Sequence, residues 1–410
     1  MHLLYQLTEE HAMLSEKSTA TVRATLPTVG AAIGDITELF YTKLFAAHPE
    51  LLRDLFNRGN QAAGLQKQAL AGSIAAFATH LVAHPDQRPD VMLNRIAHKH
   101  ASLGVTREQY PVVHEHLFAA IAEVLGDAVT PEVAAAWDEV YWLMANALAA
   151  IEERLYAGSQ VAAGDVWREW TVTGRTEETA DCATFRIAPA DGAPAPAHLP
   201  GQYVSVQVEL PDGARQIRQY SLHGDPGSQT RAITVKRVHG PAAGGPDGEV
   251  SHHLHARVRA GDTLRVSAPY GDLVLRDSAG PVLLASAGIG CTPMLSLLEH
   301  LADTGHTAPV TVLHADRSPA DHPLRDDHRA LTHKLTDSSA RFWYEESAGP
   351  DDGEGRLDLD GVPVAAGTTA YLCGPLPFMR SVREQLLAKG VAAADIHYEV
   401  FGPDLWLASA

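Results

Sequence analysis

Gln216-Ile217-Arg218-Gln219-Tyr220-Ser221-Leu222 decides how this chain is read. Polar and apolar residues alternate along it, which predicts a strand. On a strand the side-chain period is two, so Arg218 and Tyr220 face the same side. A cation suits a diphosphate, a ring lies against a flat heterocycle, and the Ser221 hydroxyl can reach a ring nitrogen. A flavin nucleotide asks for that set. The stretch follows a strand entry at Pro200-Gly201-Gln202-Tyr203 and precedes a glycine-rich loop, Gly240 to Gly248. Upstream of it the apolar period is helical. Downstream, strands and helices alternate.

The chain has 410 residues and a formal charge of -18, which argues against binding a phosphate backbone and hence against nucleic acid as partner. No apolar run is long enough to span a bilayer. The start, Met1-His2-Leu3-Leu4-Tyr5-Gln6, lacks the order of a signal peptide, and a cytoplasmic location is expected. Cys182, Cys291 and Cys373 are too few and too scattered for a disulfide framework or an iron–sulfur cluster. A reducing compartment suits them, and a monomer is expected.

Residues 13–156 read as all helix, with breaks at Thr25-Leu26-Pro27, His48-Pro49, His84-Pro85 to Arg88-Pro89, Gly104, and Gly126 to Pro131. Short connections between six or more helices suggest a globin-like or bundle fold. Four polar residues fall on apolar faces. His100 shares a stripe with Leu93, Ile96, Ala97 and Leu103. Gln66 precedes Leu70, Ile74, Phe77 and Leu81. Tyr41 joins Thr37, Leu44 and Phe45, and Glu152 joins Tyr141, Met144, Ala145, Leu148 and Leu155. Buried polar groups need partners. One imidazole opposite a Gln/Leu pair, with Phe56 after Leu55, is what a haem crevice requires.

Residues 157–164 are small and flexible and read as a linker. From 165 to 276 the period is two. Strands are expected over Trp167 to Gly174, Ala183 to Ala188, Tyr203 to Leu210, Gln216 to Leu222, Ala232 to Arg237 and Thr263 to Ser267. Six short strands at this spacing suggest an antiparallel Greek-key barrel. Ser251 is the expected N-cap of a helix whose free N–H groups would receive a diphosphate. His252, His253 and His255 read as non-ligands.

Residues 277–410 read as an α/β domain with a parallel sheet. Pro281 to Ala287 is a buried-type strand running into Gly288-Ile289-Gly290-Cys291-Thr292-Pro293 and a helix from Met294. The glycines admit a dinucleotide, Thr292 is the expected cap, and Pro293 fits the first turn. Further strands are expected at Val310 to His314, Phe342 to Tyr344 and Thr369 to Leu372, the last ending in Cys373-Gly374-Pro375. Such strand ends form a ligand crevice. Asp316-Arg317 offers both an acid and a base to a ribose, so NADH and NADPH stay equally open.

The Pro49-Glu50-Leu51 turn, Leu55-Phe56-Asn57, Asn60-Gln61, Gln66 with Leu70, and His98-Lys99-His100 before Glu108-Gln109-Tyr110 resemble the globin domain of the flavohaemoglobins. The back two-thirds is similar to the ferredoxin-reductase family. The resemblance implies haem b, FAD and NAD(P)H as cofactors. It makes His100 the iron ligand, Tyr41 the phenol that donates to bound dioxygen, and Gln66 and Leu70 its neighbours. Phe56 and Lys99 become haem contacts, and Glu152 and Tyr110 partners of His100. It implies Tyr203, Arg218, Gln219, Tyr220, Ser221, Gly248, Val250 and Ser251 as flavin contacts. Phe401, Gly402 and Pro403 join them, after Val400, where family members often carry cysteine. Gly288 to Pro293 would hold the nucleotide diphosphate, with Cys373-Gly374-Pro375 near the nicotinamide. The implied activity is nitric oxide dioxygenase, with dioxygen, nitric oxide and NAD(P)H as substrates. Two alternatives stay open: a dioxygen or redox sensor with its own reductase, and a flavin reductase acting on peroxides, quinones or ferric chelates.

Overall fold

The computed structural model describes residues 13–240, 246–275 and 279–402. Pro403 therefore lies outside the described residues, as does the middle of the glycine-rich loop. The chain forms two compact units, the first built mainly on residues up to Val166, the second on Trp167–Gly213 and Ile217–Gly402.

The first unit is helical: α1 (Glu16–Ala47), α2 (Pro49–Asp54), α3 (Arg58–Ala62), α4 (Leu65–Ala83), α5 (Asp90–Leu103), α6 (Gln109–Leu125) and α7 (Pro131–Gly158). Local chemistry sets the ends. The Ser15 side chain caps α1 by accepting from the Ser18 N–H, and Thr130 does the same for Val133 ahead of Pro131. Gly104 ends α5 in the left-handed region, φ 77°. Val22, Ile36, Phe40, Leu93, Ala97 and Leu148 lie in one continuous core. The break expected at Thr25-Leu26-Pro27 is absent, because α1 runs through Pro27. Pro27 is exposed, so water can solvate the carbonyl one turn back, while Val22 and Val29 on either side are buried and hold the helix down.

The second unit opens with a closed six-stranded barrel in the order β1-β2-β5-β4-β3-β6, a Greek-key arrangement of antiparallel pairs. The strands are β1 (Trp167–Glu177), β2 (Cys182–Pro189), β3 (Tyr203–Glu209), β4 (Arg215–His223), β5 (Arg231–Lys236) and β6 (Thr263–Ser267), with α8 (Glu249–Arg257) between β5 and β6. Phe185, Ile187, Val206, Leu222, Ile233 and Val235 fill the barrel, and Leu254 of α8 joins them.

A parallel sheet follows, in the order β10-β9-β8-β7-β11-β12. It comprises β7 (Val282–Ala287), β8 (Val310–Asp316), β9 (Ser338–Tyr344), β10 (Gly353–Glu354), β11 (Thr369–Cys373) and β12 (Ile396–Glu399). Helices α9 (Cys291–Asp303), α10 (Arg325–Lys334) and α11 (Leu376–Ala388) connect them. The strand order reverses beside β7, with β8 on one side and β11 on the other. Ligands bind at such a switch point, outside the carboxyl ends of the strands. No helix among the described residues is long and apolar enough to cross a membrane.

Candidate functional site

In the first unit, helical periodicity brings His100 of α5 and Glu152 of α7 together. The His100 Nδ1 lies 2.8 Å from Glu152 Oε1 and 3.1 Å from the Tyr110 hydroxyl. The Tyr110 hydroxyl itself donates to Glu152 Oε1 at 2.6 Å. Glu152 is 2% exposed. Burial, then the Glu152 carboxylate, holds the Tyr110 phenol well above its ordinary range, so it stays a donor. With Nδ1 bonded to a carboxylate, the imidazole keeps its proton there and turns Nε2 outward as a lone pair. That is the arrangement of a metal-ligating histidine with an orienting acid. Although Leu93 and Ala97 beside it are fully buried, the His100 side chain is 31% exposed.

Tyr41 of α1 is buried at 4% exposure and stacks among Phe40, Phe45 and Phe56. Burial raises its pKa well above the ordinary phenol value, against hydrogen bonds with Gln66 and Gln61. The sequence reading found Gln66 but missed Gln61 as a site residue. Gln61 sits on a five-residue helix, too short to show an apolar period. Its Nε2 is buried and bonds no other described residue. A buried donor of this kind suits a small oxygen ligand. Leu70 and Phe56 pack on the same core, half-buried, and Lys99 precedes His100 on α5, also half-buried. An imidazole oriented by a buried carboxylate, with a phenol and two amides elsewhere in the same helical unit, makes a donor set that fits haem.

In the second unit, β4 carries Arg218, Gln219, Tyr220 and Ser221 in a row. Arg218 donates to its neighbour Ile217's carbonyl at 2.7 Å, and Gln219 Nε2 donates to Ser205 Oγ at 2.8 Å. The Tyr220 phenol is raised by burial, with the Arg218 charge pulling the other way. Tyr203 starts β3, pairs with Tyr270 through both backbone bonds, and has its ring against Gly271. The expected cap is corrected: Gly248, not Ser251, is the N-cap of α8, and no side chain caps it. The Ser251 hydroxyl donates to the Gly248 carbonyl at 2.9 Å and accepts from the Val238 N–H at 3.1 Å. A Cβ at Gly248 would fall 2.8 Å from that hydroxyl and 2.9 Å from Val238 Cβ. The first turn around Val250 thus offers uncapped N–H groups, which fits a diphosphate.

The nucleotide loop follows the same logic. Gly288 has φ 54°, and Gly290 is the N-cap of α9 with no side-chain cap. Thr292 is therefore not the cap. It lies in the first turn beside Pro293 and donates to the Ile289 carbonyl at 3.1 Å. A Cβ at Gly290 would stand 2.3 Å from the Cys373 carbonyl oxygen. The β7 loop and the Cys373-Gly374-Pro375 loop after β11 are brought into contact at the switch point. Cys291 and Cys373 are buried free thiols, pushed up by that burial, and so inert. Sequence reasoning missed Lys236, whose Nζ lies 3.7 Å from where a Cβ on Gly288 would be. It ends β5, and a cation beside a glycine loop suits a phosphate. Phe401 is 47% exposed, with Gly402 exposed after it.

A helical haem-type pocket, a flavin-type barrel and a nucleotide-binding parallel sheet define an NAD(P)H-dependent oxidoreductase that carries its own electron supply. The Globin family matches residues 38–148, the Oxidoreductase FAD-binding domain 169–275 and the Oxidoreductase NAD-binding domain 284–384. The Flavohemoprotein of Rhizobium meliloti is 41% identical over 408 residues, covering 96% of this chain and 100% of that one. The Flavohemoprotein of Bordetella pertussis is 43% identical over 408 residues, covering 95% and 99%. A flavohemoglobin from Malassezia yamatoensis, solved with bound FAD and heme, has a TM-score of 0.87 at 36% identity, covering 95% of this chain and 100% of that one. The FAD/NAD-binding domain of a nitric oxide dioxygenase from Vibrio cholerae has a TM-score of 0.54 at 36% identity, covering 58% and 99%. The chain belongs to the flavohemoproteins. Its cofactors are haem, FAD and a pyridine nucleotide.

Proposed function

We propose that the chain is a nitric oxide dioxygenase, which uses NAD(P)H to convert nitric oxide and dioxygen to nitrate. The observation that carries this reading is the pairing of His100 with the buried Glu152 at 2.8 Å, in the same helical unit as a buried Tyr41 with the Gln66 and Gln61 amides beside it. When bound, haem supplies the iron for dioxygen chemistry, and FAD divides a two-electron hydride into single electrons. Everything else falls to the side chains. His100 Nε2 would hold the iron, and Glu152, accepting the far ring N–H, would strengthen the electron donation that favours oxygen activation over storage. Tyr41, with Gln66 and Gln61 beside it, would supply hydrogen bonds to a bound oxygen ligand, Leu70 and Phe56 would keep water from it, and Lys99 would contact the haem.

On the reductase side, Arg218 and the first turn of α8 at Gly248, Val250 and Ser251 bind the flavin diphosphate. Tyr203, Gln219, Tyr220, Ser221 and Phe401 position its ring. Gly288 to Pro293, with Lys236, bind the nucleotide phosphates, and Cys373-Gly374-Pro375 place the nicotinamide. The Vibrio cholerae relative bears the name nitric oxide dioxygenase, which supports the choice of substrate.

The test is an anaerobic addition of NADH to the purified protein, then a pulse of nitric oxide in air. Reduction of flavin and haem, followed by nitric oxide loss matched by nitrate, is expected. His100→Ala should abolish nitric oxide consumption while NADH still reduces the flavin. Undiminished consumption by that variant would overturn the reading.

A further inference from the structure

His239, just past β5, and Asp247 and His252, at the start of α8, bring one ring nitrogen each and one carboxylate oxygen within 4.8 Å of one another. His252 read as a non-ligand because its own helix offers no partner. One partner, His239, comes from just past β5, and the other, Asp247, from the residue before the α8 cap. Backbone and side-chain bonds already hold the two segments together. Gly248 N–H donates to the Val238 carbonyl at 2.8 Å, and Gly240 N–H to Asp247 Oδ1 at 2.8 Å.

The hydrogen bonds also decide which atoms are bare. His252 Nε2 lies 3.1 Å from the Val238 carbonyl, which can only accept, so Nε2 carries the proton. His252 Nδ1 then faces Asp247 Oδ2 at 3.7 Å, where either a proton on the ring or a metal cation can join the two. His239 Nε2 lies 2.9 Å from Asp181 Oδ1 and donates to it, which leaves its Nδ1 bare as well. An imidazole oriented by a carboxylate in this way is the usual support for a metal-ligating histidine. His255, by contrast, spends both nitrogens within the fold, on the Val235 carbonyl and Arg237.

We propose that His239, Asp247 and His252 bind a divalent transition metal of the zinc class, with solvent completing the shell and Asp181 orienting His239. Two imidazoles and one carboxylate suit zinc and disfavour magnesium or calcium, which take oxygen ligands. Ligands of a tetrahedral zinc stand roughly 3.4 Å apart, so these solvent-facing side chains need move only about an ångström. The ion ties the end of β5 to the turn assigned to the flavin diphosphate, so occupancy should slow loss of FAD. That consequence rests on the flavin reading, whereas zinc uptake does not.

The experiment is calorimetric titration of the chelator-treated full-length holoprotein with Zn²⁺, in excess Mg²⁺. Wild type is expected to take up about one zinc equivalent that His239→Ala/His252→Ala loses, with affinity at least tenfold weaker. Asp247→Asn keeps an acceptor for the Gly240 N–H and removes the charge, so it should weaken the same equivalent. His333→Ala, at the far end of α10, should leave it intact. A wild-type protein without that equivalent, or either site variant retaining it, would overturn the proposal. Should the double variant fail to fold, Asp247→Asn decides alone.

Discussion

At the scale of single residues, Tyr41 is the most informative. Its phenol is held well above its ordinary pKa by burial, with the Gln66 and Gln61 amides beside it, so it is a neutral donor throughout the physiological range. Tyr41→Phe removes that donor without opening a cavity. The expected loss is on the order of 1 kcal/mol, which is about a fivefold faster release of dioxygen. Flash photolysis of wild type and variant gives the rates directly, and equal rates would remove Tyr41 from the distal role. His100, Glu152, Gln66 and Tyr41 were legible in the sequence because each sits on a long helix, where a polar residue on an apolar stripe stands out. Gln61 was not, because α3 is too short to have a stripe. Lys236 was hidden for a different reason: only the folded barrel sets the end of β5 against Gly288.

At the scale of elements, the barrel strands were read to within three residues of their ends, since alternation survives on a half-buried ladder, whereas β9 begins four residues before the expected Phe342 and the short β10 and β12 were not expected. The helix starts were not. Ser251 and Thr292 are good capping residues, yet both lie inside their helices, and glycines take the cap positions. A glycine cap leaves the first-turn N–H groups without a capping side chain, which is what the proposed phosphate sites need and what a propensity rule for capping residues does not see. Pro27 misled for the opposite reason, because solvent access to its face let α1 continue. These two loops give a sharp test. At Gly290 a Cβ would stand 2.3 Å from the Cys373 oxygen and 2.9 Å from the Gly374 nitrogen. Both are backbone atoms and cannot turn aside. Gly290→Ala must therefore part the two loops to which the proposed function assigns the nucleotide. A rise in KM for NADH of roughly tenfold or more is expected, about 1.4 kcal/mol, with FAD content unchanged. Steady-state kinetics with an unaltered KM would show that the loops do not share the nucleotide.

At the scale of the molecule, 22 histidines look like a surplus of surface charge in the sequence, but the second unit buries several of them. His314 and His322 stack with ring centroids 3.7 Å apart. His322 bonds the Tyr344 hydroxyl at 2.9 Å and lies 3.4 Å from His328, while Ser286 meets His314 at 2.9 Å. Rings packed this closely cannot share more than one charge. Burial holds all three below the ordinary imidazole value, His328 at about 3. Burial likewise lowers His198 and His223 to about 4. In the unfolded chain these rings titrate near 6.5, so below that pH the unfolded state binds more protons than the folded one. The stability they contribute is full above pH 6.5 and falls as the pH drops toward 3 to 4. Each ring kept neutral costs on the order of 1.4 kcal/mol by pH 5.5, so the four held furthest down, His198, His223, His322 and His328, together cost several. For a unit of this size that is a drop in melting temperature on the order of 10 °C between pH 7.5 and 5.5. Flavin fluorescence during a thermal ramp follows the unfolding of this unit. His322→Gln, which keeps a polar partner for Tyr344 and removes a titrating ring, should shallow the slope by about a quarter. A melting temperature that holds steady from pH 7.5 to 5.5 would mean that these rings take up protons in the folded unit as well, so that burial does not keep them neutral.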